Sequence, residues 1–155
     1  MHLGLIGYGS IGASLLGVLA GNVAPERVTV LVRPGRGPLA AEALKGAGLP
    51  SAEVVEDAES LIARRPDLVV ECAGHAAVRD VAVPALRAGI DVVVVSVGAL
   101  SDPALEAAVR EAAVSGGARM ILPAGAIGGI DLLSALSAAG DLEVIYKGTK
   151  PPAAW

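Results

Sequence analysis

The chain contains no phenylalanine and has little aromatic content of any kind. Aromatic residues make up 2% of the 155 residues, whereas hydrophobic residues make up 54%. A core without large rings is built from Val, Leu, Ile and Ala, which suits a sheet covered by helices on both faces. The single cysteine, Cys72, excludes an internal disulfide and is typical of the reducing cytosol. We therefore expect a cytoplasmic protein in which Cys72 is a buried, unreactive thiol rather than a nucleophile.

Other absences exclude several classes of partner. The formal net charge is −4 and no basic stripe is present, which argues against nucleic acid as a partner. The apolar runs have the length of strands, so none is expected to span a membrane. The N-terminus has neither the charged segment nor the cleavage site of a signal peptide. With one cysteine and two histidines, at positions 2, 72 and 75, no metal site is expected.

A glycine pattern near the N-terminus predicts a site for a dinucleotide. Gly7-x-Gly9-x-x-Gly12 follows an apolar run and leads directly into a helical pattern. The first glycine permits a tight turn, the second lets the backbone approach a pyrophosphate, and the third lets the helix pack closely on the strand. Ser10 and Ile11 belong to the helix N-terminus, where free N–H groups face the phosphates. The alternative is a tight glycine turn that holds no ligand.

Apolar runs and helical patterns alternate along most of the chain, which predicts an α/β fold. A run such as 91–96, apolar on both faces, is typical of a central parallel strand. Short connections between alternating elements predict a Rossmann-type, doubly wound parallel sheet. We predict strands over 3–6, 28–33, 53–55, 67–73, 91–96 and 119–122, and helices over 11–21, 38–47, 58–64, 75–88, 102–115 and 129–139. Pro84 interrupts the segment 75–88 and predicts either a kink or two short helices there, and Asp102-Pro103 predicts a helix start.

The rhythm changes after the last predicted helix. Residues 142–150 alternate loosely between apolar and polar, as a half-exposed strand does, and Pro151-Pro152 and Trp155 follow. We expect residues 1–140 to form the dinucleotide-binding domain and residues 141–155 to begin an incomplete α+β substrate domain. A strand without partners and an exposed Trp155 would form an adhesive edge, and dimerisation is one expected consequence.

The residues after the second predicted strand favour NADP as the cofactor. Enzymes that use NAD usually carry Asp or Glu there, about 20 residues beyond the glycines, to bind the ribose 2′-hydroxyl. This chain has Arg33-Pro34-Gly35-Arg36 instead. Guanidinium groups match the geometry of a 2′-phosphate. NAD remains the alternative, in which Arg33 and Arg36 are solvated loop charges.

Three further loops follow strands and should meet at the carboxyl edge of the sheet, where ligands of such folds bind. We expect cofactor contacts from Ala73, Gly74, Ser96, Val97, Gly98, Ala124, Ala126 and Ile127. For Ser96 the alternative is a capping role within its loop. Glu71 is either close to the nicotinamide or a carboxylate satisfied at its strand end. His75 is read first as a histidine without chemical function and second as a base or a ligand contact.

Several of these segments resemble the L-aspartate dehydrogenase family. The matching stretches are Gly7–Gly12, Val70–Gly74 with Ala77-Val78, Ser96–Leu100, Pro123–Asp131, and Lys147–Pro152 with Trp155. The resemblance spans nearly the whole chain, and 123–131 is its most specific part. It implies oxidation of L-aspartate by NAD(P)+ to iminoaspartate, which yields oxaloacetate and ammonia or enters NAD biosynthesis.

In that family the catalytic histidine lies in a segment that would follow Trp155, so the catalytic residue of this chain is unknown. The chain resembles the N-terminal, cofactor-binding portion of such an enzyme, whether trimmed, truncated or half of a split enzyme. One alternative is a stand-alone NADP(H)-binding module that senses the cofactor without turnover. Another is a different two-domain dehydrogenase, such as homoserine dehydrogenase or dihydrodipicolinate reductase, against which the segment Ala126–Asp131 argues.

Overall fold

The computed structural model describes residues 1–22, 24–49, 51–125, 129–138, 140–145, 147 and 149. The chain divides into two compact units, Met1–Pro123 and Ala124–Trp155. Within the described residues, no helix is both long enough and apolar enough to cross a membrane. The domain boundary expected at 140/141 stays a prediction.

The first unit is built on one six-stranded sheet whose pairs are all parallel. Its strands are β1 (His2–Ile6), β2 (Arg27–Leu31), β3 (Glu53–Val55), β4 (Leu68–Glu71), β5 (Asp91–Val94) and β6 (Met120–Ile121). Their order across the sheet is β3-β2-β1-β4-β5-β6. This order reverses between β1 and β4, which defines the switch point of a Rossmann-type sheet. The predicted fold class is confirmed.

Two apolar clusters cover the two faces of this sheet. On one face, Leu3 and Leu5 of β1 pack with Leu16 of helix α1 (Ser10–Asn22) and Leu44 of helix α2 (Gly37–Gly46). On the other face, the side chains come from helix α3 (Ala58–Ala63), the helical segment before β5 and helix α6 (Pro103–Gly116). The core consists of aliphatic side chains, as the composition predicts. Burial on both faces explains why the strands are continuously apolar.

Local side chains define where several helices begin. Asp102 accepts hydrogen bonds from the backbone N–H groups of Ala104 and Leu105, and Pro103 occupies the first turn of α6. Asp57 caps α3 in the same way, by accepting from the N–H of Ser60 at 2.7 Å. Both caps satisfy N–H groups that have no partner inside the helix. The predicted start at Asp102-Pro103 is confirmed.

The helical segment that contains Pro84 is divided into three parts. These are α4 (His75–Ala77), a π-helical turn (Val78–Ala82) and α5 (Val83–Arg87). Proline has no N–H to donate and its ring collides with the preceding turn, so a regular α-helix cannot continue through it. The helix widens into a π-helical turn just before the proline, where the N–H of Val83 donates to the carbonyl of Val78, five residues earlier in the chain. The predicted interruption is confirmed, in the form of two short helices separated by a π-helical turn.

Several predicted strands end earlier than the sequence suggests; the strand predicted over 28–33, for example, stops at Leu31. The strands predicted over 67–73 and 91–96 stop at Glu71 and Val94, and a 3-10 helix (Val97–Ser101) follows the second. The reason is a set of hydrogen bonds from the following loops to the carboxylate of Glu71, described below. The apolar pattern continues past these points although the backbone turns away.

The second unit contains helix α7 (Ile130–Ser137), which the sequence predicts over 129–139. Residues 141–145 have no regular secondary structure, so the strand predicted over 142–150 is absent from the part of it that the structure describes. A strand forms only beside a neighbour to which its backbone can hydrogen-bond. The described residues of this unit include no strand with which residues 142–145 could pair.

Candidate cofactor site

A cavity of about 930 Å³ opens at the carboxyl edge of the sheet in the first unit. It lies where the loops after β1, β2, β3 and β4 meet, beside the switch point of strand order. Open parallel sheets bind their ligands at this position, and the volume suits a dinucleotide portion. Among the predicted contact residues, the cavity is lined by Gly7, Gly9, Arg33, Arg36 and Ala73.

The three glycines of the motif meet different surroundings. A Cβ atom on Gly12 would collide with the carbonyl oxygen of Gly7, so helix α1 lies directly against the turn. Gly7 itself has φ +92°, in the left-handed region that favours glycine. A Cβ atom on Gly9, by contrast, would have no heavy atom within 4 Å. Gly7 and Gly12 are therefore required by the fold, whereas the space around Gly9 is open for a ligand.

Helix α1 begins at Ser10, and its first backbone hydrogen bond runs from the N–H of Ala13 to the carbonyl of Gly9, at 2.9 Å. The N–H groups of Ser10, Ile11 and Gly12 precede this bond and have no partner within the helix. The side chain of Ile11 is exposed. These features place an uncapped helix N-terminus next to the glycine turn, as the sequence predicts.

Arg33 and Arg36 stand at the two ends of a tight turn after β2. The N–H of Arg36 donates to the carbonyl of Arg33 at 3.0 Å, and Gly35 has φ +80°. Proline at the second position and a left-handed glycine at the third are the features of a type II turn. Such a turn brings its first and fourth residues within 7 Å at their Cα atoms. Both exposed guanidinium groups therefore belong to one short loop that lines the cavity.

Glu56, directly after β3, holds this arginine turn from the side. Its carboxylate accepts from the N–H of Gly35 at 3.0 Å and from the N–H of Gly37 at 2.6 Å. These two hydrogen bonds lower the pKa of Glu56, the bond from Gly35 first. The sequence carries no acid at the end of β2, but the fold brings one there from the residue after the neighbouring strand β3.

Glu71 joins the loops after β4 and β5. Its side chain is fully buried. One carboxylate oxygen accepts from the N–H groups of Ala73 and Gly74, at 2.7 and 2.8 Å, and from the hydroxyl of Ser96 at 2.9 Å. The other accepts from the N–H of Ser96 at 2.9 Å. Of the two interpretations offered for Glu71, the carboxylate satisfied at its strand end agrees with this geometry, and Ser96 likewise holds the loop.

Cys72 and His75 lie close to these loops. Cys72 is half-buried and lines the cavity. Burial raises the pKa of its thiol, and the charge of Glu71 raises it further, so the thiol stays protonated. His75 is exposed, and its Nε2 atom would lie 3.2 Å from a Cβ atom on Gly98. This contact places the His75 ring against the loop after β5. No group of three His, Cys, Asp or Glu side chains in the described part of the chain could hold a metal ion.

The other described contacts predicted in the first unit do not line the cavity. Ser10, Ile11 and Gly12 belong to the start of α1. Gly74, Ser96, Val97 and Gly98 lie in the adjoining loops that Glu71 connects. Ala124 belongs to the second unit, and Ala126 and Ile127 lie outside the described residues. The roles of all the predicted contact residues in cofactor binding, including those that line the cavity, stay predictions.

Three acidic residues at the cavity were missed by sequence reasoning: Glu56, Asp57 and Asp80. The first two follow β3, and the sheet order places β3 next to β2. The sequence did contain a signal for Glu56 and Asp57. Both follow a predicted strand, and the carboxyl ends of neighbouring parallel strands lie at the same edge of a sheet. Asp80 lies in the π-helical turn, whose geometry the sequence does not specify.

Comparison with known proteins agrees with this architecture. The aspartate dehydrogenase structure from Thermotoga maritima superposes with a TM-score of 0.68 at 23% identity, covering 89% of this chain and 52% of that one. At this identity the superposition shows the shared fold. L-aspartate dehydrogenase 1 of Bordetella pertussis is 46% identical over 99% of this chain and 56% of its own length. L-aspartate dehydrogenase of Ralstonia nicotianae is 44% identical over 100% of this chain and 57% of its own length.

The chain thus spans a little over half the length of these curated relatives, and the resemblance to L-aspartate dehydrogenases seen in the sequence is confirmed. A family model described as "Homoserine dehydrogenase, NAD binding domain" matches residues 7–123, from the first glycine of the motif to the end of the first unit. The match covers strands β2 to β6 and all the residues that line the cavity except Ile6. The chain belongs to this family of NAD-binding domains.

Proposed function

We propose that this chain binds a nicotinamide dinucleotide, NADP in preference to NAD, as the cofactor domain of an enzyme that oxidises L-aspartate to iminoaspartate. The single observation that carries the proposal is the cavity beside the open face of Gly9. A pyrophosphate there would accept hydrogen bonds from the N-terminus of α1, and the adenosine portion would extend towards the loop after β2.

The preference for NADP rests on the arginine turn. Arg33 and Arg36 bring two positive charges to one end of the cavity, where the 2′-phosphate of NADP would lie. A guanidinium donates paired hydrogen bonds to phosphate oxygens, whereas it gains little from a neutral 2′-hydroxyl. Arg33 and Arg36 therefore fit NADP, the cofactor that carries the 2′-phosphate.

The substrate assignment rests on the relatives and on the chemistry that the cofactor supplies. A nicotinamide cofactor accepts a hydride, as oxidation of an amino acid to its imine requires. This chain's contribution would be to bind and orient the dinucleotide. The family resemblance implies that the catalytic histidine belongs to the portion of the relatives that the chain does not span, since it covers 56% of the Bordetella pertussis relative. Proteins named L-aspartate dehydrogenase match over nearly its full length.

A chimeric enzyme tests whether this chain can act as the cofactor domain of an L-aspartate dehydrogenase. Residues 1–155 would replace the matching part of the Bordetella pertussis relative, which supplies the remaining portion, and reduction of NADP+ would be followed with L-aspartate. We expect turnover with L-aspartate. A folded chimera that binds the dinucleotide but does not turn over L-aspartate would contradict the assignment and favour the stand-alone sensing module or another two-domain dehydrogenase.

We further propose a boundary at 140/141 between the cofactor domain and the beginning of a substrate domain, a homodimer, and a cytoplasmic location. The single cysteine supports a reducing compartment. Light scattering at several concentrations of the 155-residue chain tests the dimer, since a monomer at all concentrations would contradict it.

A further inference from the structure

The arginine turn (Arg33–Arg36) is held by a side chain that comes from another strand. Glu56 is the first residue after β3, and its carboxylate accepts from the N–H groups of Gly35 and Gly37. Each carboxylate oxygen takes one of the two bonds. Glu56 therefore spans the third position of the turn and the residue that follows the turn.

Gly37 shows that this arrangement depends on a close approach. A Cβ atom on Gly37 would lie 2.6 Å from Oε1 of Glu56. Any side chain at position 37 would push the carboxylate away from the backbone. Together with the positive φ of Gly35, this makes two glycines of the loop necessary for the same contact.

From these contacts we infer that Glu56 is a positioning residue that fixes the arginine turn and thereby sets the preference for a 2′-phosphorylated cofactor. The inference rests on the proposed function. Without the carboxylate, Gly35 and Gly37 would lose their partner and the turn would sample other conformations. Binding a 2′-phosphate would then require the turn to be ordered again, which reduces affinity. NAD, which lacks the 2′-phosphate, would lose less affinity.

The charge of Glu56 acts in the opposite direction, which makes the inference testable. The hydrogen bonds from Gly35 and Gly37 hold its pKa below the ordinary value, so the group is ionised near neutral pH. A carboxylate in the same cavity repels a phosphate. If repulsion were its main effect, removing the carboxylate would strengthen NADP+ binding. If positioning dominates, removal weakens it.

The test measures dissociation constants for NADP+ and NAD+ by calorimetry on the 155-residue chain and its variants. We expect Glu56→Ala to reduce the NADP+/NAD+ preference about tenfold, the equivalent of one lost hydrogen bond. Glu56→Gln keeps one acceptor oxygen and should give an intermediate preference. Glu53→Gln is the matched control, because Glu53 lies on β3, three residues before Glu56, pairs with Arg64 and does not line the cavity. Its preference should equal that of the unmodified chain.

A double-mutant cycle checks that Glu56 acts through the arginines. In the Arg33→Ala/Arg36→Ala background, adding Glu56→Ala should leave the preference unchanged. Amide hydrogen exchange of Gly35 and Gly37, measured by NMR without cofactor, should accelerate in Glu56→Ala. Urea unfolding verifies that each variant is folded.

An unchanged or increased NADP+ preference in Glu56→Ala would overturn the inference while leaving the proposed function intact. The inference would also be overturned if Glu56→Ala changed the NADP+ preference by the same amount in the Arg33→Ala/Arg36→Ala background. If the unmodified, folded chain bound neither dinucleotide, the proposed function would fail and this inference with it.

Discussion

Glu71 and Ser96 are joined by two hydrogen bonds, one from the Ser96 N–H and one from its hydroxyl, each 2.9 Å long. Glu71 is fully buried at the end of β4, and Ser96 lies just beyond the end of β5. The pair fixes two loops at the carboxyl edge of the sheet with respect to each other. The loop of Ala73 that lines the cavity therefore depends on a side chain that does not itself line it.

Removing the Glu71 carboxylate should destabilise the fold. Glu71→Ala would leave the N–H groups of Ala73, Gly74 and Ser96 without their acceptor, at about 1–3 kcal/mol for each group that stays buried. We expect urea unfolding to show a loss of at least about 3 kcal/mol. Ser96→Ala removes only the hydroxyl bond and should cost about 1 kcal/mol. A Glu71→Ala protein as stable as Ser96→Ala would contradict the structural role assigned to this carboxylate.

Exchanging the arginines should change the cofactor preference. Arg33→Asp combined with Arg36→Ala removes both guanidinium groups and places an acid where NAD-dependent enzymes carry one. Loss of charge-assisted hydrogen bonds, at about 1.5–3 kcal/mol each, predicts NADP+ binding at least tenfold weaker and a shift towards NAD+. Calorimetric titration with both dinucleotides measures the shift. Arg110→Ala, on α6 away from the cavity, is the control, and unchanged relative affinities in the double variant would refute the assignment.

The glycines of the motif should separate binding from folding. Gly9→Val should leave the unfolding free energy nearly unchanged but abolish cofactor binding, because its side chain would fill the space meant for the pyrophosphate. Gly12→Ala should destabilise the fold by about 1–3 kcal/mol, because its Cβ atom meets the Gly7 carbonyl. Gly17→Ala, in the same helix and in open space, should be neutral or stabilising. Dinucleotide binding retained by Gly9→Val would show that the ligand lies elsewhere.

The buried His2 should make stability depend on pH. Burial lowers its pKa, and the charge of Arg27 adds to this, while its Nε2 atom lies 2.9 Å from the Thr29 hydroxyl. The unfolded chain therefore binds a proton more readily than the folded chain, and the unfolding free energy should fall as pH decreases below about 6.5. The contribution of His2 to the unfolding free energy is fully present above about pH 6.5. It is lost as the pH falls from there through the lowered pKa of the folded state.

Urea unfolding of the unmodified chain and His2→Gln between pH 7.5 and 5.5 measures this effect. Glu56, Asp57 and Asp91 also have lowered pKa values, but carboxyl groups contribute mainly below this range. The difference in stability between the two proteins should change with pH. If the unfolding free energies of the two proteins changed with pH in parallel, His2 would be excluded as the source of the pH dependence.

The features predicted from sequence are those that depend on local pattern. The glycine motif, the Asp102-Pro103 helix start and the interruption at Pro84 each follow from residues close together in the chain. Alternating elements and the handedness of their connections then restrict the sheet order. The sequence therefore predicts both the fold class and the edge at which the cavity lies.

The interactions between loops were not predicted, because they depend on lateral distances across the sheet. Glu56 reaches Gly35 and Gly37 across 19 to 21 residues of sequence, and Glu71 reaches Ser96 across 25. Hydrophobic pattern carries no information about such polar contacts. The same contacts explain why β4 ends at Glu71 rather than at position 73, since the N–H of Ala73 bonds to a side chain instead of a neighbouring strand.

The most direct test of the central claim is an NMR titration of the 155-residue chain with NADP+, followed through assigned backbone amides. The account predicts saturable binding with the largest shifts at Gly9, Arg36 and Ala73, which line the cavity at the carboxyl edge of the sheet, and at Ser10 beside it. Absence of any shift in a folded protein, or shifts confined to residues outside this cavity, would contradict it.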